Sequence, residues 1–276
     1  MERGTFRTSV AIYVDTIVRA MILIKLGGSV ITDKSQYKKF NEEQAARLCR
    51  EIAESGRQCI VVHGAGSFGH VLAKKYRIQD GFREGEQIAA AAEVHHDAME
   101  LGMLMTSELM KAGIPAASVA PGNCFVLENG RLIVTDDEAV RRMQTIGIMP
   151  VTFGDVVMDR VKGFAIVSGD QMMEYMAKVF EPERIVFVSD IDGLYTKNPK
   201  LHPDAELIPV VTEETMRSVG TEEDVADVTG GVRNKMEAML RMCAPGRDCI
   251  LVNGTVPGRL LALLEGKDVP CTAARL

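Results

Sequence analysis

Tryptophan is absent from this 276-residue sequence, and aromatic residues make up only 5% of it. No apolar run approaches the length that a membrane-spanning helix needs. Positive charge is also scarce, since 38 acidic residues outnumber 32 basic ones and give a net charge of -6. A nucleic-acid surface needs a dense basic face and a membrane anchor needs a polybasic cluster, so neither partner is expected.

Paired cysteines are missing as well. None of the six forms a C-x-x-C pair or lies at zinc-finger spacing from a histidine, which argues against a disulfide framework and a zinc site. The cysteines are Cys49, Cys59, Cys124, Cys243, Cys249 and Cys271. Scattered thiols without an export signal predict reduced, buried cysteines in a cytoplasmic protein.

The first twenty residues contain no long apolar region and no small-residue cleavage site, so a signal peptide is not expected. Met21 stands directly before a strong strand pattern. Residues 1–20 are therefore interpreted as an extension or a misplaced start, and residues 21–276 as the folded domain.

From Met21 onward, short β-branched runs alternate with longer amphipathic stretches. The predicted strands are 21–26, 58–63, 114–119, 148–152, 184–189 and 248–252. The predicted helices are 41–55, 68–77, 86–112, 137–146, 170–180, 231–244 and 257–265. Because the strands are almost continuously apolar, they predict a mainly parallel sheet covered on both faces, an α/β fold. A hairpin is predicted at 123–134 around Asn129-Gly130, and a polar loop at 218–230.

Ligands of such a sheet bind at the carboxyl ends of its strands, and two glycine-rich segments follow strands there. The first, KLGGSVITDK, runs from Lys25 to Lys34 and lacks the spacing of a P-loop. The second, HGAGSFGH, leads from a strand into a helix whose amino end attracts anions. A dinucleotide-binding loop is disfavoured because no acidic residue closes the next strand. Together the segments predict two anion-binding turns.

Histidines contribute differently to this prediction. His70 stands at the head of a helix beside an anion-binding turn, where its imidazole can donate a hydrogen bond to a phosphate. His63 is expected to pack at a strand end. His95 and His96, with Glu100 nearby, could be metal ligands, but adjacent histidines point to different sides of a helix, and solvated side chains are expected.

Three further segments carry polar residues after predicted strands or at helix starts. SGDQ contains Asp170, which is interpreted either as an N-cap or first-turn acid of a helix or as a carboxylate that orients lysines. SDIDGLYTKNPK forms a turn-rich lip after Asp190, suited to a nucleotide base and ribose. DVTGGVRNK leads through Gly231 into a helix whose first turn ends at Lys235.

Read in order, these segments and PVTFGDVV at 150–157 resemble the amino-acid kinase superfamily and, within it, the isopentenyl phosphate kinase branch. The resemblance extends from Met21 almost to the C-terminus, and HGAGSFGH distinguishes this branch from acetylglutamate, aspartate and uridylate kinases. It implies an open αβα sandwich with a mainly parallel central sheet. The acceptor-binding half would span about 21–165 and the nucleotide-binding half about 166–276.

The resemblance also implies residue roles. Lys34, Lys25 and Asp170 would act in catalysis, Lys34 stabilising the transferring phosphoryl group and Asp170 organising the lysines. Ala65, His70 and Gly154 would bind the acceptor, with His70 on its phosphate. The residues implied for the nucleotide are Lys25, Gly27, Gly28, Ser29, Gly66, Asp190, Tyr195, Lys197, Gly231 and Lys235.

The implied reaction transfers a phosphoryl group from ATP, with Mg²⁺, to isopentenyl phosphate in a homodimeric enzyme. The cavity wall for the isoprenoid tail is predicted on helix 86–112, from its alanines at 89–92 and from Met99, Met103 and Met105. Two alternatives stay open: another kinase of the superfamily, for fosfomycin-type phosphonates or acetylglutamate, and a nucleotide-binding module without turnover.

Overall fold

The computed structural model describes residues 21–33, 35–196, 202–218 and 231–276; the side chains of 217, 218 and 231–235 are not described. The strands are β1 Ile22–Leu26, β2 Cys59–His63, β3 Ala116–Ser118, β4 Phe125–Glu128, β5 Arg131–Thr135, β6 Met149–Phe153, β7 Asp155–Asp159, β8 Gly163–Val167, β9 Arg184–Ser189, β10 Leu194–Tyr195, β11 Leu207–Ile208, β12 Val210–Val211, β13 Cys249–Asn253 and β14 Cys271–Ala274.

The helices are α1 Gly28–Ile31, α2 Glu42–Glu54, α3 Gly66–Lys75, α4 Glu86–Lys111, α5 Pro121–Cys124, α6 Glu138–Thr145, α7 Gly169–Phe180, α8 Glu213–Ser218, α9 Gly231–Met242 and α10 Arg259–Leu264, with a 3₁₀ turn at Ile78–Asp80. All six strands and all seven helices predicted from the sequence are therefore present. The loop predicted at 218–230 falls, apart from residue 218 at the end of α8, outside the described residues.

The central sheet has eight strands in the order β12-β14-β13-β9-β1-β2-β6-β3. Every neighbouring pair in it is parallel except β13 with β14. Parallel strands need crossover connections, and the helices between them supply these. The prediction of a mainly parallel sheet is confirmed.

Two apolar layers flank this sheet because successive side chains of a strand point to opposite faces. Leu23 of β1 belongs to a core that includes Met172 and Met176 of α7. Ile24, the next residue, belongs to the opposite core with Leu48 of α2 and other residues of α2, α4 and α10. The resulting helix–sheet–helix arrangement confirms the predicted αβα sandwich.

A second sheet has the order β5-β4-β7-β8. Its β4–β5 hairpin turns at Asn129 and Gly130, whose φ angles of 49° and 81° fit the primed turn that Asn-Gly favours. A small third apolar cluster, including Ala90 and Phe164, lies between this sheet and helices α3 and α4. Among the described residues, no helix is both long and apolar enough to cross a bilayer.

Candidate active site

Parallel strands bring the two glycine-rich turns to the same edge of the sheet. Leu26, the last residue of β1, pairs with His63, the last of β2. The Gly27 amide donates to Val188 O at 2.9 Å, and the Gly64 amide donates to Leu26 O at 3.0 Å. The chain therefore leaves three adjacent strands at one place, as the carboxyl-edge argument predicts.

The two turns touch through their backbones. A Cβ atom added to Gly28 would lie 2.5 Å from the Gly66 Cα, and one added to Gly64 would lie 2.7 Å from the Gly28 amide nitrogen. Gly66 also has a φ of 50°, in the left-handed region. Only glycine permits this approach, so the absence of side chains here has a packing cause.

Thr32 links the same turns by hydrogen bonds. Its hydroxyl donates to Gly28 O at 2.6 Å and accepts from the Ser67 amide at 3.0 Å. Ser67 belongs to the first turn of α3, within HGAGSFGH. The two anion-binding turns predicted from sequence are thus one connected unit, although Thr32 was not among the predicted site residues.

Lys25 and Asp170 meet beside this unit. The Lys25 Nζ lies 2.6 Å from Asp170 Oδ1, and the lysine side chain is 13% exposed whereas the carboxylate is 52% exposed. Ser168 is the N-cap of α7 and forms a capping box with Gln171, so Asp170 is not the capping residue. Asp170 is an acidic residue in the first turn of α7 and also the ion-pair partner of Lys25, so its role in orienting lysines stays a prediction.

Gly154 lies against the start of α7. A Cβ atom added to it would lie 2.7 Å from the Gly169 amide nitrogen, and the Gly154 amide donates to His63 O at 3.3 Å. A Cβ atom added to Gly169 would lie 3.3 Å from Lys25 Cε, so Gly154 and Gly169 pack closely between the second glycine turn and Lys25, with little room for side chains.

The lip after β9 also faces the first glycine turn. The Ser29 hydroxyl donates to Asp190 Oδ1 at 2.8 Å. Beyond it, Asp192 accepts from Asn253 Nδ2 at 2.9 Å and from Arg259, and the Tyr195 hydroxyl lies 3.5 Å from Asp192.

These contacts shift the pKa values of Asp192 and Tyr195. Burial acts to raise the pKa of Asp192, but hydrogen bonds from Asn253 and Arg259 outweigh burial and lower this pKa. Burial and the neighbouring Asp192 raise the pKa of Tyr195. The lip therefore carries a fixed negative carboxylate and a neutral phenol.

The histidines divide as the sequence predicts, with one exception. His70 is exposed in the second turn of α3, and His63 is fully buried and stacked on Phe153 at 4.9 Å. His96 is largely solvated. The expectation of a solvated His95 is wrong, because its Nδ1 lies 2.9 Å from the buried Asp155 carboxylate, which raises the pKa of His95.

His96, Asp97 and Glu100 could together approach a metal ion. However, the Lys38 ammonium lies 2.9 Å from Asp97 Oδ1 and also contacts Glu100. A lysine among these carboxylates already supplies the positive charge that a cation would bring, so the cluster is an ion-pair network.

Several predicted site residues have positions that the structure does not give. Lys34 and Lys197 lie outside the described residues, as does the side chain of Lys235, whereas Gly231 begins α9 as expected. The predicted tail wall needs correction. Met103 is 68% exposed and Met105 is part of the core between α4 and the sheet, while Ala90 and Ala91 pack in the third apolar cluster.

Comparison with known proteins decides the family. The model of the amino acid kinase family matches residues 20–253. The chain belongs to the amino acid kinase family. It shares 36% identity over 260 residues with an isopentenyl phosphate kinase of Methanothermobacter thermautotrophicus, covering 90% of this chain and 97% of that protein.

Other amino acid kinases are similar at greater distance. An isopentenyl phosphate kinase of Thermoplasma acidophilum is 32% identical, with 87% of this chain and 94% of that protein covered. A glutamate 5-kinase of Myxococcus xanthus is 29% identical, with 90% and 65% covered.

Solved structures agree with the fold of this amino acid kinase. An X-ray structure of an isopentenyl phosphate kinase superposes with a TM-score of 0.78 at 31% identity, covering 92% of this chain and 99% of that one. A UMP kinase from Ureaplasma parvum, at 16% identity and a TM-score of 0.63, shares the fold. The predicted family and fold are confirmed, and the chain is a kinase.

Three interactions of this amino acid kinase could not be predicted from the sequence. The contacts of Thr32 with Ser67, of Asp192 with Arg259, and of His95 with Asp155 join residues 35 to 67 positions apart. Only the Asp-Gly step at 192–193 gave a local signal, and it indicated a turn.

A cleft of about 210 Å³ opens at the opposite edge of the sheet, between the ends of α2, α4 and α6. Residues lining it include Gly56, Gly113 and Gly147, each with a positive φ where a helix ends. None of the predicted site residues lines this cleft, so it is separate from the kinase site.

Proposed function

We propose that this kinase transfers the γ-phosphoryl group of ATP to isopentenyl phosphate, giving isopentenyl diphosphate and ADP. The main support for this proposal is the contact between Gly28 and Gly66, which brings the two predicted anion-binding turns side by side at one sheet edge. A donor and an acceptor phosphate need this proximity for in-line transfer. The isopentenyl phosphate kinases at 36% and 32% identity support the choice of acceptor.

Charge neutralisation is the main chemical requirement, because two phosphate groups repel one another. Lys25 is available at the sheet edge that carries the turns, and its ion pair with Asp170 fixes the direction of the ammonium group. Lys34 and Lys235 are assigned the remaining positive charge, Lys34 on the transferring group and Lys235 on the nucleotide. Preorganised cations of this kind stabilise the charge that spreads over the transferring group.

No general base is needed, since an acceptor phosphate is already ionised at neutral pH. An oxygen of the acceptor attacks the γ-phosphorus, the bond from that phosphorus to the bridging oxygen breaks, and ADP leaves with the electron pair. His70, exposed on the second turn of α3, is assigned a hydrogen bond to the acceptor phosphate. Ala65 and Gly154 are assigned backbone contacts on the same side.

The division expected from sequence is kept, with an acceptor-binding half at about 21–165 and a nucleotide-binding half at about 166–276. Some residues of the first half would also contact the nucleotide. Gly27, Gly28, Ser29 and Gly66 would face its phosphates. The lip and the start of α9 would hold the rest through Asp190, Tyr195, Lys197, Gly231 and Lys235. The hydrogen bond from Ser29 to Asp190 supports this assignment, because it joins the first glycine turn, called the phosphate turn below, to the lip.

Mg²⁺ fits this site as a partner of ATP. The carboxylates of Asp170 and Asp190 at this edge already accept from Lys25 and Ser29, so triphosphate oxygens and water would supply most of its ligands. When bound, the ion neutralises charge on the phosphates.

The isoprenoid tail is assigned to the third apolar cluster. Ala73 of that cluster is one helical turn from His70, and Ala90, Ala91 and Val94 of α4 face it. A phosphate held at His70 would therefore direct an apolar chain toward small side chains. A cytoplasmic homodimer is part of the proposal, and Ile88, Met103 and Met110, exposed on α4, offer apolar surface for a second copy. Light scattering would test the dimer.

An acceptor panel tests the reaction. ADP release with ATP·Mg²⁺ is measured for isopentenyl phosphate, dimethylallyl phosphate, fosfomycin, acetylglutamate, glutamate and uridylate, and products are identified by ³¹P NMR. Isopentenyl phosphate is expected to give the highest kcat/KM, and Lys34→Ala to lower kcat by about 10²–10³. A higher kcat/KM for a carboxylate acceptor would contradict the proposal and indicate an activity like that of the glutamate 5-kinase relatives.

A further inference from the structure

Residues 35–40 form a closed loop beside the glycine turns. Thr32 and Phe40 pair as an antiparallel bridge, and the Asp33 amide donates to Lys39 O at 2.9 Å. The Asp33 carboxylate also accepts from the Ser35 amide at 2.9 Å. The loop follows directly on the position of Lys34 in sequence, so its placement bears on the proposed reaction.

Asp97 of α4 binds this loop by hydrogen bonds. Its side chain is 2% exposed, and its carboxylate accepts from the Tyr37 hydroxyl and from Lys38 Nζ, the latter at 2.9 Å. A buried carboxylate is costly unless it is paired and hydrogen-bonded. Two of its partners come from the loop, and His96 Nδ1 of the same helix lies 3.2 Å from Asp97 Oδ1. Burial acts to raise the pKa of Asp97, but the hydrogen bonds from Tyr37 and Lys38 outweigh burial and lower this pKa.

Lys38 shows that the loop is held under strain. Its φ of 56° lies in the left-handed region, which is unfavourable for a side chain of this kind. Such conformations persist where surrounding contacts over-determine them, and they cluster at functional sites. The Lys38 ammonium contacts Asp97 and Glu100 and lies 5.9 Å from the Phe68 ring centre. Its charge is thereby neutralised, so it is not a further phosphate ligand.

The same loop is joined to the second glycine turn, HGAGSFGH, which is called the acceptor turn below because of its proposed role. The Lys38 amide donates to Ser67 O at 3.3 Å, and the Lys39 amide donates to Ser67 Oγ at 3.2 Å. Ser67 is in turn bound to Thr32, whose hydroxyl reaches Gly28 O. A continuous set of hydrogen bonds therefore runs from α4 through the loop to both glycine turns.

We infer that Asp97 is a positioning residue, whose buried carboxylate holds residues 35–40 against α4 and so fixes the acceptor turn relative to the phosphate turn. The inference rests on the proposed function for its effect on turnover, but not for its effect on the loop. Asp97 touches neither turn directly and acts through Tyr37, Lys38 and Ser67. Small displacements of an aligned acceptor reduce phosphoryl transfer strongly.

The test compares Asp97→Asn with Glu108→Gln. Glu108 is the matched control, because it is a buried carboxylate on the same helix that pairs with Lys111 instead of the loop. Steady-state kinetics, thermal melting and amide hydrogen exchange are measured for both variants. Lys38→Met removes the same ion pair from the exposed side and replaces Asp97→Asn if that variant does not fold.

Asp97→Asn is expected to lower kcat about 10-fold or more and to leave the KM for ATP within about 2-fold. Amide exchange should accelerate in residues 35–40 and the Ser67 region, with the melting temperature within about 3 °C. Glu108→Gln should change none of these. Unchanged exchange in the loop, or faster exchange with unchanged kcat, overturns the inference. A wild-type protein inactive on isopentenyl phosphate would refute the proposed function, and the exchange measurement would still decide the role of Asp97.

Discussion

The ammonium group of Lys25 lies 2.6 Å from the carboxylate of Asp170, although 145 residues separate them in sequence. Lys25 is the penultimate residue of β1, and its Nζ lies 5.5 Å from the centre of the Phe187 ring, while Asp170 stands in the first turn of α7. Because the lysine side chain is largely buried, the carboxylate determines where its charge points. The ion pair therefore places a fixed cation beside the start of α7, at the sheet edge that carries the two glycine turns.

Removing this cation should slow phosphoryl transfer. Lys25→Met is expected to lower kcat by about 10²–10³, as the loss of a preorganised charge does in other enzymes. Asp170→Asn should cost less, about 10-fold, since the lysine stays but loses its orientation. Lys178→Met, at an exposed position of the same helix, is the control and should be neutral. Steady-state kinetics decide, and normal turnover in Lys25→Met would remove this residue from catalysis.

The contact between the glycine turns predicts a steric effect. A methyl group at Gly28 would lie 2.5 Å from the Gly66 Cα, so Gly28→Ala must push the turns apart. We expect ATP affinity to fall about 10-fold or more and the free energy of unfolding to drop by about 1–3 kcal/mol. Gly85→Ala is the control, because a Cβ there meets nothing within 4 Å and its φ is -61°.

Calorimetric titration with an ATP analogue and thermal melting measure the two effects separately. Equal nucleotide affinity in Gly28→Ala and Gly85→Ala would show that the turns can separate without loss.

Most of the central sheet was predictable because its strands are buried on both faces and read as continuous apolar runs. The strand predicted at 148–152 is Met149–Phe153, and the one at 184–189 matches Arg184–Ser189. The glycine turns were predictable for a related reason, since glycine where a strand ends signals a close backbone approach.

The second sheet was only partly predictable. The Asn129-Gly130 step predicted its first hairpin, but β7 and β8 were missed, as was the antiparallel strand β14. Such strands are short, and their pairing depends on tertiary contacts that local patterns do not contain. Long-range polar contacts such as that of His95 with Asp155 escaped for the same reason, because spacing along the chain carries no information about them.

His70 should affect the acceptor selectively. His70→Ala is expected to raise the KM for isopentenyl phosphate about 10-fold or more, because a charge-assisted hydrogen bond contributes about 1.5–3 kcal/mol. The KM for ATP should stay unchanged, and His70→Asn, which retains a donor, should recover part of the loss. An acceptor KM equal to that of the wild type would exclude His70 from the acceptor site.

His63 should make the protein acid-sensitive. It is fully buried against Phe153, its Nδ1 lies 3.2 Å from Gly64 O, and burial lowers its pKa to about 4. Between pH 6.5 and about 4 the unfolded chain binds a proton here that the folded chain does not. The free energy of unfolding should therefore fall as the pH falls through this window, by about 1.4 kcal/mol per pH unit and about 3 kcal/mol in all.

His63→Phe keeps an aromatic ring beside Phe153 but removes this proton-binding group. Urea unfolding at pH 7, 6 and 5 measures the difference in free energy between wild type and variant, which cancels the carboxylates common to both. That difference should shift in favour of the variant as the pH falls. Ile146→Val, at an exposed position without a titratable group, is the control and should show a constant difference. A constant difference for His63→Phe as well would mean that the buried imidazole takes up its proton without unfolding the chain.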